Sequence, residues 1–201
     1  MKRLKLKAYV LPAILLVAAI ILLLNSITTS PVITDNYTYV TNTILEESIP
    51  VMNEKIMVIN PYLDPGVTIG KNYYDYKGES QEQEKSILYY DGTYMQNSGV
   101  DFVSENVFEV ISILPGTVTD VKEDELLGKI VEVKHNKYVA LYQSLSEVFV
   151  KKGDTISQGQ SIGKSGVNEL DKSIGNHLHF ELSYDGNIVN PIEHLNKELQ
   201  D

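Results

Sequence analysis

The chain has 201 residues, 43% hydrophobic and 22% charged, which suffices for one packed domain and excludes wholesale disorder. Lys and Arg number 17 against 27 Asp and Glu, a formal net charge of −10 that excludes non-specific binding to a phosphate backbone. There is no cysteine, so disulfides, iron–sulfur clusters, thiol catalysis and thiolate-bound zinc are excluded, and any metal must be held by histidine and carboxylate.

Lys2, Arg3, Lys5 and Lys7 precede an uncharged run, AYVLPAILLVAAIILLL, at residues 8–24. At 1.5 Å per residue that run covers about 25 Å, near the lower limit for a membrane span. It is longer than the apolar region of a cleaved signal peptide, and Asn25-Ser26-Ile27-Thr28 is a poor cleavage site. Residues 1–25 therefore read as a cytoplasmic basic tail and a retained transmembrane anchor, with the basic flank inside and the remainder extracytoplasmic. The Ser/Thr/Asn-rich stretch at 26–49 reads as a stalk.

Beyond Pro50 the pattern is one of short runs rich in Val, Ile, Tyr and Phe, broken by Gly, Pro, Asn or Asp. IMVIN (56–60), SILYY (86–90), FEVISIL (108–114), GTVTDV (116–121), KIVEVKH (129–135), YVALYQSL (138–145) and HLHFELSY (177–184) are the predicted strands. In KIVEVKH, Val131 and Val133 share one face and Glu132 and Lys134 the other, the period of a half-buried strand. A helix is expected at the end, with Asn190 as cap, Pro191 in the first turn and Glu193 three residues after the cap. The body is mainly β. Residues 50–92 form a Tyr-rich N-terminal part, 93–195 the main domain and 196–201 a tail. Nine of the 13 tyrosines lie between Tyr37 and Tyr94, either as the flank of a sheet or as a protein-binding patch.

His177-Leu178-His179 is the one constellation with evident chemistry. On a strand, positions i and i+2 share a face, so both imidazoles and Glu181 project together while Leu178, Phe180 and Leu182 enter the core. Such a pair suits zinc ligation, or one ligand beside a general acid/base; it equally suits two buried histidines satisfied by their neighbours.

The context adds to this. KKGDTISQGQSIGKSG (151–166), GNHLHFEL (175–182) and VNP (189–191) follow NSGVDF (97–102), which stands at the place of an H-x-G-x-D motif, and YQSL (142–145), at the place of Y-x-H-L. This ordered series resembles the lysostaphin or LytM type of zinc metallopeptidase, which cuts peptide cross-bridges of the bacterial wall. The resemblance implies a peptidase-like β-sheet domain (the duplicated hybrid motif) on the single N-terminal transmembrane helix. It also implies Asp101 and His179 as metal ligands and His177 as a catalytic residue. Two positions depart: Asn97 stands where a ligand His is expected, and Ser144 where a second catalytic His is expected. A structural zinc site is worth about 10–16 kcal/mol, so one ligand carries roughly 3–4 kcal/mol on an even split, and loss of an imidazole weakens binding more than about a hundredfold. Loss of a general acid/base removes about 10²–10⁴ in rate, and a neutral hydroxyl does not replace it. Asp101, His177 and His179 are thus expected to be vestigial, and no cofactor is expected, zinc being the one that a working site would take. His135, nine residues before Ser144, is a substitute only if it migrates to the site, and His194 is expected at the surface.

PVMNEK (50–55), YYDYKGESQEQEKSILYY (73–90) and TYMQNSGVDF (93–102) are also similar to a sporulation group of that family in endospore-forming bacteria. That likeness implies a forespore membrane protein facing the intermembrane space. Its expected partner is a mother-cell membrane protein resembling stage III sporulation protein AH, bound during engulfment and forespore channel assembly, with peptidoglycan as a further candidate partner. The alternatives are an active zinc endopeptidase on peptidoglycan and an activator of a separate wall hydrolase.

Overall fold

The computed structural model describes Leu16, Ile20, Ile21 and residues 56–199. The chain divides into two units, Met1–Met52 and Asn53–Asp201. In the first, Leu16, Ile20 and Ile21 are helical and exposed; the rest of the expected tail and anchor, and the stalk, lie outside the described residues. Among the described residues no helix is long and apolar enough to cross a membrane.

The second unit is built on an antiparallel sheet. Its strands run in the order β1 (Thr68–Lys71), β4 (Val100–Val103), β11 (His177–Tyr184), β8 (Tyr138–Val148), β7 (Gly128–His135), β6 (Gly116–Asp124) and β9 (Thr155–Ile156). β10 (Ser161–Ser165) joins β8 to β5 (Glu109–Ile111), and β12 (Asn187–Val189) closes a hairpin on β11. A short helix α1 (Ser80–Lys85) precedes a separate hairpin of β2 (Ile87–Tyr90) and β3 (Thr93–Gln96).

Alternation explains the sheet. In β11, Leu178, Phe180 and Leu182 are buried on one face. Phe180 lies in register with Tyr142 of β8 on one side and Val100 of β4 on the other, and Leu182 pairs with Ala140. Rings of Tyr142 and Phe180 meet at 5.2 Å and those of Phe102 and Phe180 at 6.4 Å. The Tyr142 hydroxyl accepts from Ile113 N–H at 3.1 Å, so this fully buried ring brings no unpaired polar atom into the core. Val131 and Val133 are fully buried while Lys134 is exposed, as their period requires. Gly99 and Gly163 mark close approaches: a Cβ on the first would run into Phe180 O and on the second into Glu147 O.

Two secondary-structure expectations need correction. Residues 56–60 form no strand beyond one bridge, Met57 to Glu198. The expected terminal helix is a three-residue 3-10 turn, Pro191–Glu193, capped as expected by Asn190 Oδ1, which accepts from Ile192 N–H at 3.1 Å. Both have one cause. The backbone after Leu195 turns through Asn196 at φ 58° and pairs with the start of the unit, Asn196 N to Val58 O at 2.6 Å and Val58 N to Lys197 O at 2.9 Å. That pairing takes the groups a further helical turn would need. His194, expected at the surface, is half-buried, its Nδ1 3.0 Å from the Tyr138 hydroxyl.

Phe180→Ala is expected to destabilise the purified chain by about 3–5 kcal/mol in urea unfolding. Ile188→Ala, on an exposed position of β12, is expected to stay within about 0.5 kcal/mol.

Candidate functional site

Three strands bring the sequence-predicted residues together. Antiparallel register places Asp101 of β4 opposite His179 of β11, and His179 opposite Gln143 of β8. The turn between β3 and β4 supplies Asn97, and β8 supplies Ser144 at φ 64°, a left-handed conformation held by Ser144 N–H donating to Leu127 O at 3.0 Å. Asn97, Asp101, Ser144 and His177 are buried, and His179 is 9% exposed.

His179 is held at both ring nitrogens. Nδ1–H donates to Asp101 Oδ1 at 2.7 Å and Nε2–H to Glu181 Oε1 at 3.2 Å. Burial disfavours the charge, but the hydrogen bonds to the two carboxylates and their negative charges outweigh it and raise the imidazole to about 9. Burial likewise opposes the Glu181 charge, yet His179 and the Ser98 hydroxyl, donating at 2.6 Å, hold that carboxyl below its ordinary value. His179 is therefore an imidazolium between two carboxylates at neutral pH.

His177 sits in a different network. Its Nδ1 lies 2.8 Å from Gly175 O, an acceptor only, so Nδ1 carries the proton and Nε2 is the lone pair. Nε2 accepts from the Ser144 hydroxyl at 2.9 Å, and Asn168 Nδ2 donates to Ser144 Oγ at 2.7 Å. Burial pushes the His177 imidazole below its ordinary value, which keeps it neutral. His135 is not brought here: it is buried with Nδ1 3.0 Å from Pro115 O.

Asn97 settles whether these residues fit a zinc ion. Its Nδ2 donates to Asn72 O at 3.0 Å, Gly99 O at 3.0 Å and Asp101 Oδ2 at 3.2 Å. All three neighbours are acceptors, so the amide nitrogen faces the aspartate that would be its co-ligand. Asn97 Oδ1 is buried without a hydrogen-bond partner among the described residues, and it belongs to a neutral amide. Of the expected ligands one imidazole and one carboxylate remain, already bonded to each other, and the other ring nitrogen of the imidazole is taken by Glu181. Among the described residues no three His, Cys, Asp or Glu side chains are placed to hold a metal ion. The donor set does not fit zinc, which takes three protein ligands in its open catalytic sites.

The model of Peptidase family M23 matches residues 95–191. Stage II sporulation protein Q of Bacillus subtilis (strain 168) is 34% identical over 96% of this chain and 72% of its own length. The chain belongs to the stage II sporulation protein Q family. Among solved structures, a chain of the SpoIIQ–SpoIIIAH pore-forming complex matches with TM-score 0.70 and 37% identity, covering 72% of this chain and 94% of that one. The catalytic domain of lysostaphin from Staphylococcus simulans matches with TM-score 0.52 and 25% identity, covering 65% and 92%. The mainly β, LytM-like architecture is thereby established.

Sequence reading placed Glu181 on the histidine face without a role and did not find Ser98, Asn168 or Asn72. Glu181 was reachable from its i+2 spacing to His179; the others are loop residues whose partners lie 83, 24 and 25 positions away in the chain.

A group raised in the folded state stabilises fully below its unfolded value and loses that stabilisation as pH rises through the folded one. Urea-unfolding free energy is therefore expected to fall between pH 6.5 and about 9 by on the order of 3 kcal/mol, and His179→Gln to flatten the slope. An unchanged slope in the variant would assign the titration to another group.

Proposed function

We propose that the chain is a membrane-anchored sporulation protein whose degenerate peptidase domain works by binding. Its partner is a mother-cell membrane protein resembling stage III sporulation protein AH, met across the intermembrane space during engulfment and assembly of the forespore channel. The observation that carries this reading is the likeness to a chain of the SpoIIQ–SpoIIIAH complex, which extends over 94% of that chain. Site chemistry supports it. A peptidase of this type needs an open metal position and a base beside it. Here the ligand position holds an amide, the base position holds a hydroxyl, and the neighbouring imidazoles are committed to Asp101, Glu181 and Ser144.

The single basic-flanked apolar run at residues 8–24 supports an anchor with its N-terminus in the cytoplasm and the domain outside. The surface offers contacts of the kind binding proteins use. Tyr89 and Tyr94 are exposed, facing each other across the β2–β3 hairpin with ring centroids 4.9 Å apart. The outer edge of β1 has no strand partner among the described residues.

The purified full chain in detergent is expected to bind the ectodomain of its own organism's AH-type protein with a Kd of roughly micromolar or tighter. It is expected to carry under about 0.1 equivalent of zinc by elemental mass spectrometry, and to release no soluble peptide from purified wall. Failure to bind would overturn the reading. Stoichiometric zinc with wall cleavage abolished by His179→Ala would replace it with the endopeptidase, and stimulation of a separate hydrolase with the activator.

A further inference from the structure

Asn97 makes more contacts than the loss of a ligand requires. Its backbone N–H donates to Ser86 O at 3.0 Å, and its carbonyl accepts from Tyr74 N–H at 2.9 Å. Its side-chain nitrogen reaches Asn72 O on one side and Gly99 O and Asp101 Oδ2 on the other. Asn72 and Tyr74 belong to the segment that leaves β1, and Ser86 is the residue before the β2–β3 hairpin. Gly99 and Asp101 lead into and lie on β4, a strand of the main sheet.

The hairpin shares no strand pairing with that sheet, and a two-stranded hairpin alone is marginally stable at best in water. Leu88 of the hairpin is buried, and Lys71 Nζ donates to Ile87 O at 3.2 Å. Lys71 is itself tied to Asp171 at 2.9 Å.

We propose that the metal-ligand position of the peptidase fold has become, in this chain, the fastening of its tyrosine-bearing N-terminal part, and that the two uses of position 97 exclude each other. The reason lies in donor count. The amide nitrogen of Asn97 has two hydrogens on one atom and shares them among acceptors on both segments it joins. A histidine that ligates zinc must be deprotonated at the ligating nitrogen, which leaves one ring N–H on the far side of the ring. That single donor does not serve Asn72 O and Gly99 O together. Asn97→His therefore restores the third ligand beside Asp101 and His179 and loosens residues 72–74 and the hairpin, which keep the backbone bonds of residue 97 to Ser86 and Tyr74 and the packing of Tyr73 against the core. Asn97→Asp, nearly the same in shape, replaces the NH2 by a second acceptor oxygen, loses both donor hydrogens, and sets a carboxylate against Asp101 and two carbonyls. This inference concerns the chain alone and does not depend on which partner it binds.

The test is amide exchange by mass spectrometry on the full chain in detergent, with zinc content measured beside it, for Asn97→Ala, Asn97→Asp and Asn97→His. Exchange in peptides covering 72–96 is expected to rise about tenfold in all three, while peptides from β8 and β11 stay within about twofold. Asn97→His is expected to gain up to about one equivalent of zinc without recovering protection over 72–96. Unchanged exchange over 72–96 in the Ala and Asp variants would overturn the fastening role, and so would a rise spread equally over β8 and β11. Zinc uptake by Asn97→His with full protection of 72–96 would overturn the exclusion. If one variant does not fold, the remaining two decide the fastening, because each removes both amide donors.

Discussion

The pairing of β11 between β4 and β8 is the constraint on which the rest of this structure depends. One strand carries the centre of the core on one face and His177, His179 and Glu181 on the other. Phe180 packs between Val100 and Tyr142 in register, and the same register sets His179 opposite Asp101 and Gln143. A slip of one residue would move Leu178, Phe180 and Leu182 to the polar face and the histidines into the core. The hydrophobic demand for burial therefore enforces the geometry of the polar face as well, whichever residues stand at 97 and 144.

That register fixes the shape of the site independently of the two residues that depart from the family motif. The two departures sit at positions the sheet does not need. Asn97 lies in a turn, where an amide finds carbonyls to bond, and Ser144 lies at a left-handed residue of β8, where a small hydroxyl fits between His177 and Asn168. What remains carries one net negative charge: a buried imidazolium between two carboxylates, each steadied by a further neutral donor, Asn97 for Asp101 and Ser98 for Glu181. Such a cluster is satisfied internally, and breaking one member leaves the others buried and uncompensated.

The fold core was legible in the sequence to the extent that period-2 alternation reports burial. KIVEVKH, YVALYQSL and HLHFELSY are strands whose apolar faces are buried as their pattern requires. Short strands with few apolar residues, such as SIGKS in β10 and NIV in β12, carry too little pattern to be read, and they exist because neighbours pair with them. The terminal helix failed for the opposite reason. Its capping signal was real and acts on one turn, but a competing partner near Val58 claims the following backbone.

Residue identity by itself determined that the chain has no thiol and is acidic, and the resemblance of its motifs added that the expected ligand and base positions, 97 and 144, hold an amide and a hydroxyl. Those conclusions rest on which chemical groups exist, and that does not change on folding. Only the tertiary structure decided where those groups point. It turned the Asn97 amide toward Asn72, Gly99 and Asp101, gave Ser144 to His177, and placed Glu181 under Ser98 from 83 positions away. Hydrogen bonds act over about 3 Å and in set directions, so their partners are chosen by register and loop path. Neither is written in the spacing of residues along the chain.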